Sequence, residues 1–136
     1  MRDGSRSQTV LLAGATGYIG KYVCKTLLTR GFQVFSLGRS PKESQADQNL
    51  AHLSMDLRSS KAMEEFTKSD VQISCVISCL GSRTGGRRDA WAVEYGANKN
   101  LLNLAHKIGV KKFVLLSAIC VQKPMLEFQF AKIAFE

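Results

Sequence analysis

The stretch TVLLAGATGYIG at residues 9–20 decides the fold, because an apolar run leads into three glycines spaced three residues apart. The apolar run predicts a strand over residues 9–14, and the residues after the turn predict a helix whose positive end would face phosphates. Gly14 would allow the tight turn, Gly17 would let backbone N–H groups approach a pyrophosphate, and Gly20 would let the helix pack closely. The pattern therefore predicts a dinucleotide site formed by Gly14, Thr16, Gly17, Tyr18, Ile19 and Gly20.

Strand and helix signals alternate along the rest of the chain, which is typical of an α/β fold with a parallel sheet covered by helices on both faces. Apolar runs predict further strands at residues 32–37, 50–55, 71–80 and 113–117. Helical spacing predicts helices at residues 18–30, 60–68, 89–108 and 125–136. Right-handed crossovers then give a doubly wound, Rossmann-type sheet in the order 3-2-1-4-5, with its ligand at the carboxyl ends of strands 1 and 4.

Length, composition and charge limit the classes of protein. The 136 residues fit one domain, for which we expect a disordered tail over residues 1–8 and an NADP(H)-binding Rossmann domain over residues 9–136. No apolar run reaches the roughly 18 residues of a membrane helix, so we expect no transmembrane segment. The net charge of +8 suits an anionic ligand. The basic residues are scattered without interleaved aromatic residues, so we expect no nucleic-acid partner.

The four cysteines are Cys24, Cys75, Cys79 and Cys120, and their spacing matches no pattern of metal ligands. We therefore expect no metal site. Cys75 and Cys79 would lie about 13 Å apart on one face of a strand, which is too far for a disulfide. Buried, reduced thiols are the expected state.

The end of the second predicted strand favours NADPH over NADH. A site for NAD usually carries an acid about 20 residues after the first glycine, but this chain has Arg39 there and no acid before Glu43. An arginine can pair with a ribose 2′-phosphate, while a solvated surface arginine is the alternative. After the third strand, Asp56 and Leu57 are expected near the adenine ring, although Asp56 could equally cap a helix.

Small residues end the fourth predicted strand. At Cys79, Leu80 and Gly81 the backbone could approach the inner ribose and pyrophosphate of a cofactor. A buried strand end followed by a loop is the structural alternative, and both descriptions can hold together.

Longer motifs carry a resemblance to a known family. The glycine pattern, with Ser117 after the fifth predicted strand, resembles the short-chain dehydrogenase/reductase superfamily in its extended and atypical branches. Within it, SCLGSRTGG at residues 78–86 and LLSAICVQKP at 115–124 resemble the divinyl chlorophyllide a 8-vinyl reductases, and residues 126–132 continue the match. The resemblance covers nearly the whole chain. It implies NADPH-dependent reduction of the 8-vinyl group of divinyl chlorophyllide or protochlorophyllide to ethyl, a step of chlorophyll biosynthesis.

One superfamily motif is altered. Where Tyr-x-x-x-Lys is usual, this chain has Phe128 and Lys132. The resemblance implies that Lys132 bonds the nicotinamide ribose and that Ser117 holds the catalytic serine position, although Ser117 could merely line the cofactor site. Phe128 has no proton to donate to a carbonyl, which agrees with an alkene substrate. Asn98 matches a recurrent superfamily asparagine, and bonding a backbone carbonyl is its more ordinary role.

The resemblance also implies the setting of the protein. The substrate would be a tetrapyrrole, whose carboxylate Arg83 and Arg87 could receive, with a solvated loop as the alternative. The location would be the chloroplast in a eukaryote, with a transit peptide outside this chain, or the cytoplasm in a bacterium; peripheral thylakoid association and oligomeric state stay open.

The chain would be the N-terminal part of a longer reductase and inactive alone. The lost tyrosine keeps open a non-catalytic NADP(H)-binding or sensing module, or an atypical reductase for another unsaturated substrate.

Overall fold

The computed structural model describes residues 8–39, 47–68, 70–119 and 121–136. The predictions for Glu43, Cys120 and residues 1–7 of the tail lie outside the described residues. The strands are β1 (Thr9–Ala13), β2 (Gln33–Gly38), β3 (Leu50–Ser54), β4 (Cys75–Ser78) and β5 (Phe113–Leu115). The helices are α1 (Tyr18–Thr29), α2 (Ser60–Phe66), α3 (Arg87–Ala90), α4 (Asn98–Lys107) and α5 (Glu127–Phe135), and a π-helical segment, Trp91–Ala97, joins α3 to α4.

The strands of the described chain form one parallel sheet in the order β3-β2-β1-β4-β5, which confirms the predicted topology. On one side of β1, Thr9 lies opposite Gln33 of β2. On the other side, Val10 lies opposite Cys75 of β4. The direction of winding reverses between β1 and β4, so the carboxyl ends of these strands open a crevice at one edge of the sheet.

The central strand is buried on both faces, which explains its continuous apolar sequence. Leu11 packs in a core that contains Leu101 and Leu104 of α4. Leu12 points to the opposite face, where it packs in a core with Cys24 of α1. Helices therefore cover both faces of the sheet, as the alternating pattern predicted. Within the described ranges, no helix is both long and apolar enough to span a bilayer.

Most element bounds lie within two residues of the prediction; β5, for example, ends at Leu115 rather than at residue 117. Two elements differ more. The fourth strand covers Cys75–Ser78 rather than residues 71–80, because its pairing with β1 stops where Ala13 lies opposite Ser78. The chain then leaves the sheet at Cys79 and borders the crevice. The predicted helix at 89–108 is helical throughout, but residues 91–97 are wound as a π-helix.

Candidate functional site

The carboxyl ends of the strands surround an open cleft of about 930 Å³. Arg83 of the loop after β4 lines this cleft, whereas Arg87 begins α3 and is not among the described lining residues. The structure brings together the predicted cofactor-binding and catalytic residues Gly14, Thr16, Gly17, Tyr18, Ile19, Gly20, Arg39, Asp56, Leu57, Cys79, Leu80, Gly81, Ser117 and Lys132.

The turn after β1 requires glycine at two positions. Gly14 has a φ of +82°, and a Cβ there would lie 2.6 Å from the carbonyl carbon of Cys79. A Cβ at Gly20 would lie 1.8 Å from the carbonyl oxygen of Gly14, so the first turn of α1 packs directly on the loop. The N–H of Gly17 donates to that same oxygen at 3.2 Å. The strand end, the loop and the helix start are therefore fixed relative to one another.

The N-terminus of α1 borders the cleft without a capping side chain and without an acidic residue in its first turn. The first N–H groups of a helix have no partner within the helix, and the helix dipole adds positive potential there. Tyr18 and Ile19 are 76% and 48% exposed, so Ile19 lies at the cleft and not in the core. This helix end can receive the phosphate groups of a ligand.

Arg39 follows β2 and lines the cleft with an exposed side chain. Its backbone is held in place because its carbonyl oxygen accepts a hydrogen bond from Ser54 Oγ at 3.1 Å. The neighbouring backbone is fixed by the N–H of Met55, which donates to the carbonyl oxygen of Gly38 at 2.9 Å. The guanidinium is thus carried on a rigid strand end, at the position predicted for the ribose of the adenosine.

Asp56 is paired with Arg58. Its Oδ1 accepts from the backbone N and from Nε of Arg58, and its Oδ2 accepts from Nη2, all at 3.0 Å. These hydrogen bonds hold the pKa of Asp56 below its ordinary value; the charges of Arg58 and Arg39 add to the effect, and partial burial opposes it. Helix α2 begins at Ser60 with Ser59 as N-cap, so the alternative that Asp56 caps it is wrong.

The basic loop after β4 folds around Asp89. The backbone N and Oγ1 of Thr84 donate to Asp89 Oδ2 at 3.0 and 3.1 Å. The hydrogen bond from the Thr84 N–H lowers the pKa of Asp89 most, its hydroxyl adds to this, and the charge of Arg39 contributes further while burial opposes it. Asp89 lines the same cleft as Arg39, so this loop forms part of the cleft wall.

Lys132 of α5 is 3% exposed, and its ammonium meets three acceptors. Nζ lies 2.5 Å from Oε2 of Glu94. It also donates to the carbonyl oxygens of Leu80 at 3.2 Å and Leu116 at 3.3 Å. Two of its three protons are used by these carbonyl oxygens, so a ribose hydroxyl would compete with Glu94 for the ammonium. Lys132 joins the ends of β4 and β5 beside the cleft.

Glu94 is a site residue that sequence reasoning missed, as it missed Arg58 and Asp89. It lies in the π-helical segment, is 3% exposed, and accepts a hydrogen bond from the backbone N of Ser82 at 2.9 Å through Oε1. No motif marks it. The available signal is that Glu94 is the single charged residue in the stretch AWAVEYGAN at residues 90–98. A lone acid in an apolar stretch would have predicted a buried, paired carboxylate.

Asn98 fixes the backbone of that segment. Its Nδ2 donates to the carbonyl oxygen of Glu94 at 2.8 Å, and its Oδ1 accepts from Ser78 Oγ at 2.5 Å. The side chain is fully buried. The prediction that Asn98 bonds a backbone carbonyl is confirmed.

Ser117, Phe128 and Cys79 complete the wall at the β4–β5 side of the cleft. Ser117 Oγ donates to the carboxylate of Glu136. Phe128 is half-buried and offers no proton. Cys79 is a free thiol whose pKa is raised by burial, an effect that the charge of Lys132 partly offsets. Of the predicted buried thiols, Cys24 is buried, whereas Cys75 and Cys79 are half-buried.

These residues fit a nicotinamide dinucleotide. The loop at Gly14 leaves no room for a side chain, the N-terminus of α1 has no cap, and a cation stands after β2. A family sequence model described as NAD(P)H-binding matches residues 14–134, which run from the glycine turn through α5. The chain belongs to this NAD(P)H-binding family. The cleft beside the glycine turn is therefore the candidate site for the cofactor of this family.

Curated relatives of this NAD(P)H-binding chain include two plant reductases. The divinyl chlorophyllide a 8-vinyl-reductase, chloroplastic, of Cucumis sativus is 44% identical over 143 residues, which cover 96% of this chain and 34% of the relative. The protein of the same name from Arabidopsis thaliana is 41% identical over 138 residues, which cover 93% of this chain and 33% of the relative. The chain thus spans about a third of the length of the curated relatives it matches. The resemblance predicted from its motifs is confirmed.

Solved structures of the same architecture agree. The oxidoreductase ylbE from Lactococcus lactis has a TM-score of 0.71 at 26% identity and covers 86% of this chain and 51% of its own. A UDP-galactose 4-epimerase reaches a TM-score of 0.80 at 17% identity, and the match covers 95% of this chain and 49% of the epimerase. The Bordetella bronchiseptica enzyme WbmG in complex with NAD reaches 0.78 at 14% identity, covering 98% and 49%. At these identities the last two show the shared Rossmann-type fold alone.

Proposed function

We propose that this chain forms the NADPH-binding part of a reductase that converts the 8-vinyl group of divinyl chlorophyllide or divinyl protochlorophyllide to ethyl in chlorophyll biosynthesis. The similarity to the 8-vinyl-reductases over 96% of the chain carries the proposal. The tetrapyrrole would bind mainly to a region beyond the span shared with these relatives. The relatives' names support a chloroplast location in a eukaryote, and the cytoplasm is the counterpart in a bacterium.

The choice of NADPH rests on the charges at the end of β2. A carboxylate there would repel a 2′-phosphate, but the charge of Asp56 is balanced by its ion pair with Arg58. Arg39 is exposed, lines the same cleft and can form charge-assisted hydrogen bonds with a phosphate. This arrangement favours the phosphorylated cofactor over NADH.

The protein's contribution to the reaction would be orientation and exclusion of water. When bound, NADPH would supply a hydride to the conjugated vinyl group, and the addition of a proton would complete the ethyl group. The N-terminus of α1 would bind the pyrophosphate, and Lys132 would hold the nicotinamide ribose at the β4–β5 side. Phe128 presents an apolar surface where a carbonyl reductase would need an acid, which suits an alkene. Of the two predicted substrate arginines, Arg83 is the better placed, since it lines the cleft.

A second candidate is a non-catalytic NADP(H)-binding module. The contacts of Lys132 favour it, because its ammonium is already shared among Glu94, Leu80 and Leu116. The absence of an acidic hydroxyl at Phe128 favours it as well.

A chimera distinguishes the two candidates. These residues replace the matching third of the Cucumis sativus reductase, and the monovinyl product formed from divinyl chlorophyllide and NADPH is measured by chromatography. We expect product from the chimera, no product from this chain alone, and none from a chimera carrying Gly14→Val, whose side chain would strike the Cys79 carbonyl. A chimera that binds NADPH but forms no product would favour the non-catalytic module.

A further inference from the structure

A buried charge pair stands at the β4–β5 side of the cleft, within the proposed cofactor site. Glu94 and Lys132 are each 3% exposed, and their side chains approach to 2.5 Å. The desolvation cost of such a pair often cancels its attraction, so apolar residues of similar volume would hold the fold as well. Stability alone therefore does not explain why this sequence keeps two charges at the wall of the cleft.

The two oxygens of Glu94 act on two different parts of that wall. Oε2 fixes the ammonium of Lys132, which also bonds the carbonyl oxygens of Leu80 and Leu116. Oε1 accepts from the backbone N of Ser82, with the hydroxyl of Ser82 at 3.4 Å. One carboxylate thus sets the position of the cation between the strand ends and of the loop that leaves β4.

The backbone of Glu94 is itself held. In the π-helical segment its carbonyl oxygen is bonded by the side chain of Asn98, which is anchored to Ser78 at the end of β4. π-helical turns inside α-helices are frequent at functional sites. Here the wide turn lies where the carboxylate must reach both Lys132 and Ser82, and the asparagine satisfies the carbonyl group.

We propose that Glu94 is the positioning residue of the nicotinamide half of the cofactor site, acting through Lys132 and the backbone at Ser82. This inference rests on the proposed binding of NADPH. The adenosine half is built by different residues: Arg39 at the end of β2 and the Asp56–Arg58 pair after β3. A change at Glu94 should therefore weaken contacts to the nicotinamide ribose and leave contacts to the adenosine half intact.

Two ligands can test the nicotinamide half and the adenosine half of the site separately. NADPH spans the whole cleft, whereas 2′,5′-ADP carries the adenosine and its 2′-phosphate without the nicotinamide ribose. Titration calorimetry on the 136-residue chain measures both dissociation constants. For Glu94→Gln we expect the dissociation constant of NADPH to rise about tenfold, because the ammonium of Lys132 is no longer held in position for the nicotinamide ribose, while that of 2′,5′-ADP stays within about twofold.

Two control variants distinguish a positioning role of Glu94 from a general effect on folding. Glu65→Gln makes the same change on an exposed glutamate of α2, and both constants should stay at their wild-type values. Glu94→Asp keeps the charge with a shorter arm, so it should fold even if Glu94→Gln does not, and should weaken NADPH binding with 2′,5′-ADP unaffected.

Two results would overturn the assignment. Equal weakening of both ligands in the Glu94 variants would mean a general role in folding, and unchanged NADPH affinity would mean no positioning role. A wild-type chain that binds neither ligand would instead overturn the proposed cofactor together with this inference.

Discussion

Three charged residues of the cleft are each held by a partner side chain. Asp56 is bound by Arg58, Asp89 by Thr84, and Lys132 by Glu94. The charge of Asp56 is balanced by Arg58, whereas neutral Thr84 leaves Asp89 ionised and lowers its pKa. The exposed guanidinium of Arg39 adds positive potential at the end of β2.

Replacing Arg39 should change the choice of cofactor. The wild-type chain should bind NADPH more tightly than NADH, and Arg39→Ala should remove most of the difference, at a cost of about 1.5–3 kcal/mol for a lost charge-assisted phosphate contact. Titration calorimetry with both cofactors measures this. Arg30→Ala removes an equally exposed arginine at the far end of α1 and should leave the preference intact. Equal affinities of the wild-type chain for the two cofactors would contradict the role of Arg39.

Residues whose roles are local could be predicted from the sequence, and those whose roles depend on distant partners could not. Gly14 and Gly20 follow from the geometry of one turn, and both are crowded as predicted. Glu94 acquires its role from Lys132, on a helix much later in the chain, so no spacing rule reveals it. Asp56 is an exception, because its partner Arg58 is only two residues away, and their pairing still depends on how the chain turns after β3.

Among the elements, the π-helical segment sets the geometry of the cleft wall. Strand order and helix positions follow from apolar runs and turn residues, which is why the order β3-β2-β1-β4-β5 could be predicted. The length of β4 could not, because it is limited by its pairing with β1. The wide turns at Trp91–Ala97 could not either, since helical spacing assumes 3.6 residues per turn.

Asn98, whose side chain connects the π-helical segment to Ser78 of β4, should contribute to the free energy of unfolding. Asn98→Ala leaves the Ser78 hydroxyl and the Glu94 carbonyl without their buried partner. Since each unsatisfied buried group costs about 1–3 kcal/mol, the free energy of unfolding should fall by about 2–4 kcal/mol. Urea unfolding of the wild type and the variant measures the difference. Asn103→Ala on the same helix removes an exposed asparagine and should cost much less; equal costs would show that the hydrogen bonds of Asn98 do not fasten the segment.

In the whole molecule, the two edges of the sheet differ in character. The exposed large apolar side chains in the described part of the chain include Val114 and Leu116 at the β5 side and Phe130 and Ile133 of α5, and none belongs to β3. An open edge strand beside exposed apolar side chains favours pairing with another chain. The β5 edge, not the β3 edge, is therefore the expected surface of self-association.

We accordingly expect the 136-residue chain to self-associate in a concentration-dependent manner. Val114 is 50% exposed on β5, so Val114→Lys places a charge on the edge without disturbing the core and should shift the population toward monomer. Ala51→Lys introduces the same charge on the β3 edge, at another exposed position, and should leave the distribution unchanged. Sedimentation velocity over a range of concentrations measures the distribution. A wild-type chain that stays monomeric at high concentration would show that the β5 side needs no partner. Equal effects of Val114→Lys and Ala51→Lys would show that net charge, rather than the β5 edge, controls association.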